Sequence, residues 1–201
     1  MPSWRRMPAA PPPSATAIAA LRRRLIPFLF LLYVVAYLDR VNIGFAALDM
    51  NRDLGFSASV YGLGSGIFFV SYTLLEVPSN LILARVGARV WIGRIMLTWG
   101  IISGLMAATT GPASFLALRF ALGVAEAGFF PGIVFYLTYW FPAAYRARVL
   151  STLFLAVPVS NAVASVISGA ILEMDGTLGL KGWQWVFILE AIPAVLLAFV
   201  V

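Results

Sequence analysis

The chain has 201 residues, 62% of them hydrophobic and 11% charged, with a mean hydropathy of +0.95, whereas soluble domains are roughly 45–50% apolar and about 25% charged. That balance excludes a soluble enzyme and indicates a polytopic membrane protein, because several runs reach the ~20 apolar residues a spanning helix needs. With no Cys and no His, disulfides, thiolate chemistry, the usual zinc sites and Ser/His or Cys/His dyads are also excluded, and the formal charge of +6 leaves nucleic acid and lipid headgroups as partners to be told apart.

The N-terminal "MPSWRRMPAAPPPSATAIAA" is rich in Pro and Ala, and residues 1–24 are expected to form a disordered tail, with Met7 an alternative start. Arg22, Arg23 and Arg24 ahead of an apolar run have the outline of a signal peptide. The run continues through Asp39 and Arg40 to Leu48, however, and more spans follow, so no cleavage is expected. Residues 25–201 then divide into six spans: Leu25–Leu48, Ser59–Ala84, Val90–Thr109, Pro112–Phe141, Val149–Leu172 and Trp183–Val201. The expected fold is all-α, a single six-helix membrane domain. The last run stops at "LLAFVV" without the polar flank that closes a span, as in an interrupted chain.

Orientation follows from the basic residues in alternate connections. Arg5, Arg6, Arg22, Arg23, Arg24, Arg85, Arg89, Arg94, Arg146 and Arg148 fall on one side, against Arg52 and Lys181 on the other. This places the N-terminus in the cytoplasm. Asp49, Asp53, Glu173 and Asp175 all fall outside. The basic excess is therefore topological, and nucleic acid is not expected as a partner, whereas membrane lipid is.

Two glycine-bearing stretches suggest close packing. "YGLGSGIFF", Tyr61 to Phe69, lacks the Lys and Ser/Thr of a phosphate loop, and the third glycine of a dinucleotide fingerprint would fall at Ile67. Small residues that let backbones approach in lipid account for it better. Asn161, Ser165 and Gly169, at i, i+4 and i+8, form a similar small face on the fifth span.

Removing the loop residues leaves Asp39, Arg40, Glu76, Arg119, Glu126 and Glu190 inside or at the ends of apolar runs. A charge at mid-bilayer costs about 2.5–3.5 kcal/mol on insertion scales, so these groups are expected to face one another or a wet cavity. Glu76 and Glu190 lie nearer span ends, and Glu190 is read as structural. On the first span, Tyr33, Tyr37, Arg40 and Gly44 share a face, while Asp39 points about 100° away toward a neighbouring helix. On the fourth, Arg119, Gly123 and Glu126 share a face. Counted inward, Arg40 and Arg119 lie at matching depth above Glu126 and Tyr72. Two guanidiniums can fork onto a carboxylate-bearing solute, tyrosines can line its pocket, and Glu126 can exchange a proton against the anion. The alternative is that Arg40 with Glu126, or Asp39 with Arg119, are static buried ion pairs that fix helix registry.

These residues, together with "NLILARVGARVWIGRIMLTWG", "LRFALGVAEAGFFPG" and "YLTYWFPAAYRARVLSTLF", resemble the major facilitator superfamily, and within it the anion:cation symporters of the tartrate, phthalate, galactonate and hexuronate type. The resemblance runs from about Leu25 to Val201. It implies that Arg40 and Arg119 engage an organic anion, that Tyr37, Tyr72 and Asn161 line its pocket, and that Asp39 and Glu126 handle coupling protons. "ARVGARV" resembles the superfamily's loop motif between spans two and three through Arg85, Gly87 and Arg89, with Ala84 where an acid usually stands. Carriers of this kind have two six-helix halves that rock about a midplane site, and this chain matches one.

The expected function is proton-coupled symport of an organic anion (a sugar acid, dicarboxylate or aromatic acid) across the bacterial inner membrane by alternating access. No cofactor, metal or catalytic group is expected, and the coupling ion is a proton. The alternatives are a truncated, inactive half-transporter, a half-size carrier that needs a partner such as the missing second half, and a non-transporting scaffold or sensor. An integral-membrane enzyme ranks last.

Overall fold

The computed structural model describes residues 15–201, and those residues form helices joined by short turns, with no strand among them. The first helix, α1 (Ala15–Leu54), is followed by α2 (Ala58–Val86) and α3 (Ala88–Leu105), which ends in a 3-10 turn at Met106–Ala108. The next span is made of α4 (Pro112–Glu126) and α5 (Phe129–Trp140), the fifth of α6 (Ala143–Phe154) and α7 (Ala156–Leu172), and the last of α8 (Gly182–Ala198). Ala58–Val86, Ala88–Ala108, Pro112–Trp140 and Ala143–Leu172 are long and apolar enough to cross a membrane. The helix α8 is apolar over 17 residues, and α1, with 40, exceeds a bilayer core at about 1.5 Å per residue.

The expected tail does not extend to Arg24. Helix α1 already begins at Ala15, and its first turns are held because Ile18 and Leu21 pack with Val149 and Leu153 of α6 in one apolar cluster. The remainder of the expected tail, residues 1–14, lies outside the described residues. The other helix starts follow local chemistry. Ser57 caps α2 by accepting from the Val60 N–H at 3.3 Å, and Pro112 opens α4, where no amide hydrogen is needed. Gly87 alone joins α2 to α3 at φ 92°, a backbone region that residues with a side chain rarely adopt.

Helix pairs form where small residues admit a neighbour, as expected when lipid removes the hydrophobic drive between helices. Helix α2 lies on α4, α3 on α8, and α1 on α7 and α8. At the α2–α4 crossing a Cβ on Gly123 would overlap Ser71 Oγ and the Phe68 carbonyl, and one on Gly64 would overlap Phe115. At the α3–α8 crossing a Cβ on Gly100 would lie 2.9 Å from Val195. Two expectations change here. Within "YGLGSG" Gly64 makes the close approach, while Gly62 and Gly66 face open space. On α7 the packed stripe is Ala156, Ser160, Ala164 and Ser168, and Ser160 donates to the Val34 carbonyl of α1 at 3.1 Å. The Asn161, Ser165 and Gly169 face is exposed.

The apolar interior is divided in two. One cluster holds Leu32, Trp99, Leu122, Phe129 and Ala194, and the other holds Ile43, Met50, Met106, Phe115, Trp183 and Phe187. Between them, at the same level on successive helices, lie Asp39, Arg40 and Asn42 of α1, Ser103 of α3, Arg119 of α4, Ser168 of α7 and Glu190 of α8. A polar layer thus crosses the bundle between two apolar ones.

Candidate functional site

Arg40 stands on the partly open side of this layer. Its Nη2 donates to Glu126 Oε1 across the α1–α4 gap in an ion pair. The Arg40 side chain is 26% exposed and that of Glu126 3%, so the pair is buried at the acid end and accessible at the cation end. Around the guanidinium stand three rings, with Cζ 5.9 Å from the centroid of Tyr37, 5.8 Å from Phe68 and 5.3 Å from Tyr72. Such faces attract a cation through their quadrupoles. Arg40 Nε is buried and has no acceptor.

Glu126 is also the last residue of α4. The backbone leaves the helix at Ala127, with ψ 128°, and Gly128 takes the left-handed region at φ 85° before α5 restarts at Phe129. Ser79 packs so tightly against Gly128 that a Cβ there would overlap it. The Glu126 carboxylate therefore meets Arg40 at the C-terminal end of α4, where the helix dipole is negative.

Arg119 is placed differently from the expectation. It is 5% exposed, its Nε donates to the Gly64 carbonyl of α2 at 3.1 Å, and its guanidinium lies 4.5 Å from the Phe68 centroid. No salt bridge joins it to an acid among the described residues. The Phe68 ring contacts both arginines, so they do not face one open space as a pair. Helix periodicity set Arg119, Gly123 and Glu126 on one side of α4, but the close α2–α4 crossing at Gly123 turns Arg119 into α2.

Asp39 points away from Arg40, as its 100° offset requires. It accepts from Trp99 Nε1 and Ser103 Oγ of α3 and from Asn42 Nδ2 at 3.2 Å. The alternative of an Asp39–Arg119 ion pair is not formed, whereas the Arg40–Glu126 pair is. Tyr37 and Tyr72 stand beside Arg40, and Tyr33 continues the aromatic face by stacking on Phe130 at 5.3 Å. Asn161 is not brought to this cluster: it lies on the exposed side of α7 and donates to its own helix at Val157 O, 3.1 Å. Arg85 and Arg89 are exposed on either side of Gly87 and form no salt bridge among the described residues.

Sequence reasoning did not single out Phe68, Trp99 or Ser103. Phe68 carried a signal, since it sits four residues from both Gly64 and Tyr72 on one face of α2. Trp99 and Ser103 are likewise four apart on α3, but nothing local shows that their partner is on α1.

The sequence profile of the Major Facilitator Superfamily matches residues 29–201. A protein of Agrobacterium vitis named "Putative tartrate transporter" is 65% identical over 178 residues, which are 89% of this chain and 41% of that protein. The "Inner membrane transport protein RhmT" of Escherichia coli is 47% identical over 87% of this chain and 41% of its own length, and the "Quinolone resistance transporter" of Acinetobacter baumannii is 51% identical over 87% and 40%. The chain thus spans about two fifths of the length of the relatives it matches. Among solved structures, a bacterial homologue of the human lysosomal transporter Spinster, inward-facing and occupied, superposes with a TM-score of 0.79 at 23% identity over 89% of this chain and 43% of that one. The fold, the polar layer and the sequence relationship agree: this chain is a multi-pass membrane protein that belongs to the major facilitator superfamily.

Proposed function

We propose that the chain is one half of a secondary active transporter that carries an organic anion together with protons across the bacterial inner membrane, with its N-terminus in the cytoplasm. The observation that carries this reading is the Arg40–Glu126 pair, in which a buried acid holds a guanidinium that is still partly accessible. Protonating Glu126 removes the charge that holds Arg40. The guanidinium, with Nε already unpartnered, is then free to take a substrate carboxylate with forked hydrogen bonds. When the anion leaves, Arg40 returns to Glu126 and expels the proton. Proton and anion therefore compete for opposite partners of one ion pair, and each is favoured by the other's presence.

Tyr37 and Tyr72 supply ring faces and hydroxyls to the bound anion, and Arg119 is a reserve cation behind Phe68. Asp39 is the second proton-handling acid, enclosed against α3. Asn161 is assigned to a wall completed by a second six-helix half, since alternating access in repeat-built carriers places the site between two halves. The relative named for tartrate supports a small carboxylate as cargo, and the arginine-rich connections on one face support the orientation.

The test is uptake of labelled tartrate, sugar acids and aromatic acids into proteoliposomes, using the chain as it stands and the same chain joined to a second six-helix half. Accumulation of one acid class driven by an inward proton gradient supports the reading. A joined carrier that accumulates none of them, or moves them without regard to the gradient, overturns it. The same pair of preparations addresses the half-length alternative: activity restricted to the joined form means that this half needs its partner.

A further inference from the structure

Glu190 takes no part in the arrangement around Arg40. It projects from α8 into the polar layer, is 7% exposed, and accepts at Oε1 from the Ser168 hydroxyl of α7. Its other oxygen, Oε2, is buried with no hydrogen-bond partner.

Among the described residues no counter-cation pairs with Glu190. The salt bridges of the described residues are Arg40–Glu126, Arg52–Asp49 and Lys181–Asp53, and none includes Glu190. Helix α7 has no charged residue between Ala156 and Leu172. Helix α3 carries its charges, Arg89 and Arg94, at the end that packs near Ala198, whereas Gly104 packs at the level of Ala191. From α1 the charge that acts on Glu190 is Asp39, another acid. An ionised carboxylate at this place would be out of water, half-bonded and next to a like charge, which costs far more than leaving one neutral hydroxyl without an acceptor.

We propose that Glu190 is a proton-binding site, its carboxyl carrying a proton on Oε2 while Oε1 takes the Ser168 hydroxyl. The site lies in the same layer as Arg40 but among α1, α7 and α8, so it is a proton store separate from the Arg40–Glu126 ion pair. It deepens the proton-coupled reading by giving the half a third proton-handling acid, one that bridges the fifth and sixth spans. The ligand is a proton rather than a metal cation, because one serine hydroxyl and one carboxyl are too few oxygens to replace a cation's hydration shell.

Infrared spectroscopy of the full chain in lipid vesicles at neutral pH tests this directly. The native chain is expected to show the C=O stretch of a buried, protonated carboxylic acid, shifted in deuterium oxide, and Glu190→Gln is expected to remove it. Ser168→Ala should move the same band to higher wavenumber by freeing Oε1, and this arm decides the matter if Glu190→Gln does not fold. Asp39→Asn and Glu126→Gln should each leave the band in place. A native spectrum without the band, a band that only Asp39→Asn or Glu126→Gln removes, or a Glu190 carboxylate signal that shifts on adding sodium would overturn the proposal. The readout needs neither anion nor flux, so it stands or falls independently of the uptake experiment.

Discussion

Arg40 reaches from α1 to Glu126 where α4 ends, so the ion pair lies at a helix terminus and one residue from a break in the chain. An ion pair at mid-helix would be held by two rigid rods. Here Glu126 is the last residue of α4, and the backbone turns at Ala127 and Gly128 before α5 restarts.

If Glu126 is the acid whose protonation frees Arg40, Glu126→Gln fixes the freed state permanently. In the joined carrier, anion exchange across the vesicle membrane should persist, while gradient-driven accumulation should fall to the level seen without a gradient. Counterflow and net uptake measured side by side distinguish the two. Accumulation that survives in the Gln variant would remove Glu126 from coupling.

Arg40→Ala leaves the Glu126 carboxylate buried and unpaired. Breaking a buried pair from one side costs about 3–5 kcal/mol, and the partial exposure of Arg40 places this case toward the lower end. Anion-dependent uptake should be lost while membrane insertion is retained, and the thermal midpoint in detergent should drop. Adding Glu126→Gln to Arg40→Ala should recover most of the midpoint but none of the uptake, which separates the stability role of the pair from its transport role.

Asp39 receives three donors, from Trp99, Ser103 and Asn42. Asp39→Ala strands them, at about 1–3 kcal/mol for each buried group left unsatisfied, and should lower the midpoint sharply. Asp39→Asn keeps an acceptor and should stay near the native midpoint while losing gradient-driven uptake. Full proton-driven uptake in the Asn variant would leave Asp39 a purely structural anchor for α3.

Two glycines of similar appearance in the sequence should respond oppositely. Gly123→Ala forces a methyl into Ser71 and the Phe68 backbone, and overpacking of that kind costs about 1–3 kcal/mol. Gly169→Ala meets nothing within 4 Å and should change stability by less than about 0.5 kcal/mol. Thermal unfolding of the two variants in one detergent checks both.

The spans were legible because each is an apolar run bounded by polar or Gly/Pro punctuation, a signal that depends on local composition. The Arg40–Glu126 pair was also within reach, as one of two open pairings, since depth along a helix can be counted. What could not be read was rotation of one helix against another. That angle decides that Arg119 bonds Gly64 rather than facing outward beside Arg40, and that Ala164 rather than Ser165 lies in the packed stripe of α7. The break at Ala127–Gly128 is concealed because "VAEAGFFPG" is apolar enough to read as one span, although Gly128 and Pro131 mark it. The interior position of Glu190 was within reach of a count, since it is the eighth of the nineteen residues from Trp183 to Val201, but its partner Ser168 on α7 was not, because that contact again depends on helix rotation.

The polar layer also bears on how the chain is made. Residues Asp39 and Arg40 emerge in the first helix, yet their partners arrive 60, 64 and 86 residues later, at Trp99, Ser103 and Glu126. During that interval the first helix carries two unmatched charges that bare hydrocarbon disfavours. It must therefore be kept beside water, the insertion machinery or a chaperone until the third and fourth spans are synthesised, and only then be released into lipid. A ribosome stalled after the second span would leave a helix with nowhere stable to go, so α1, although translated before its partners, settles only once they are in place.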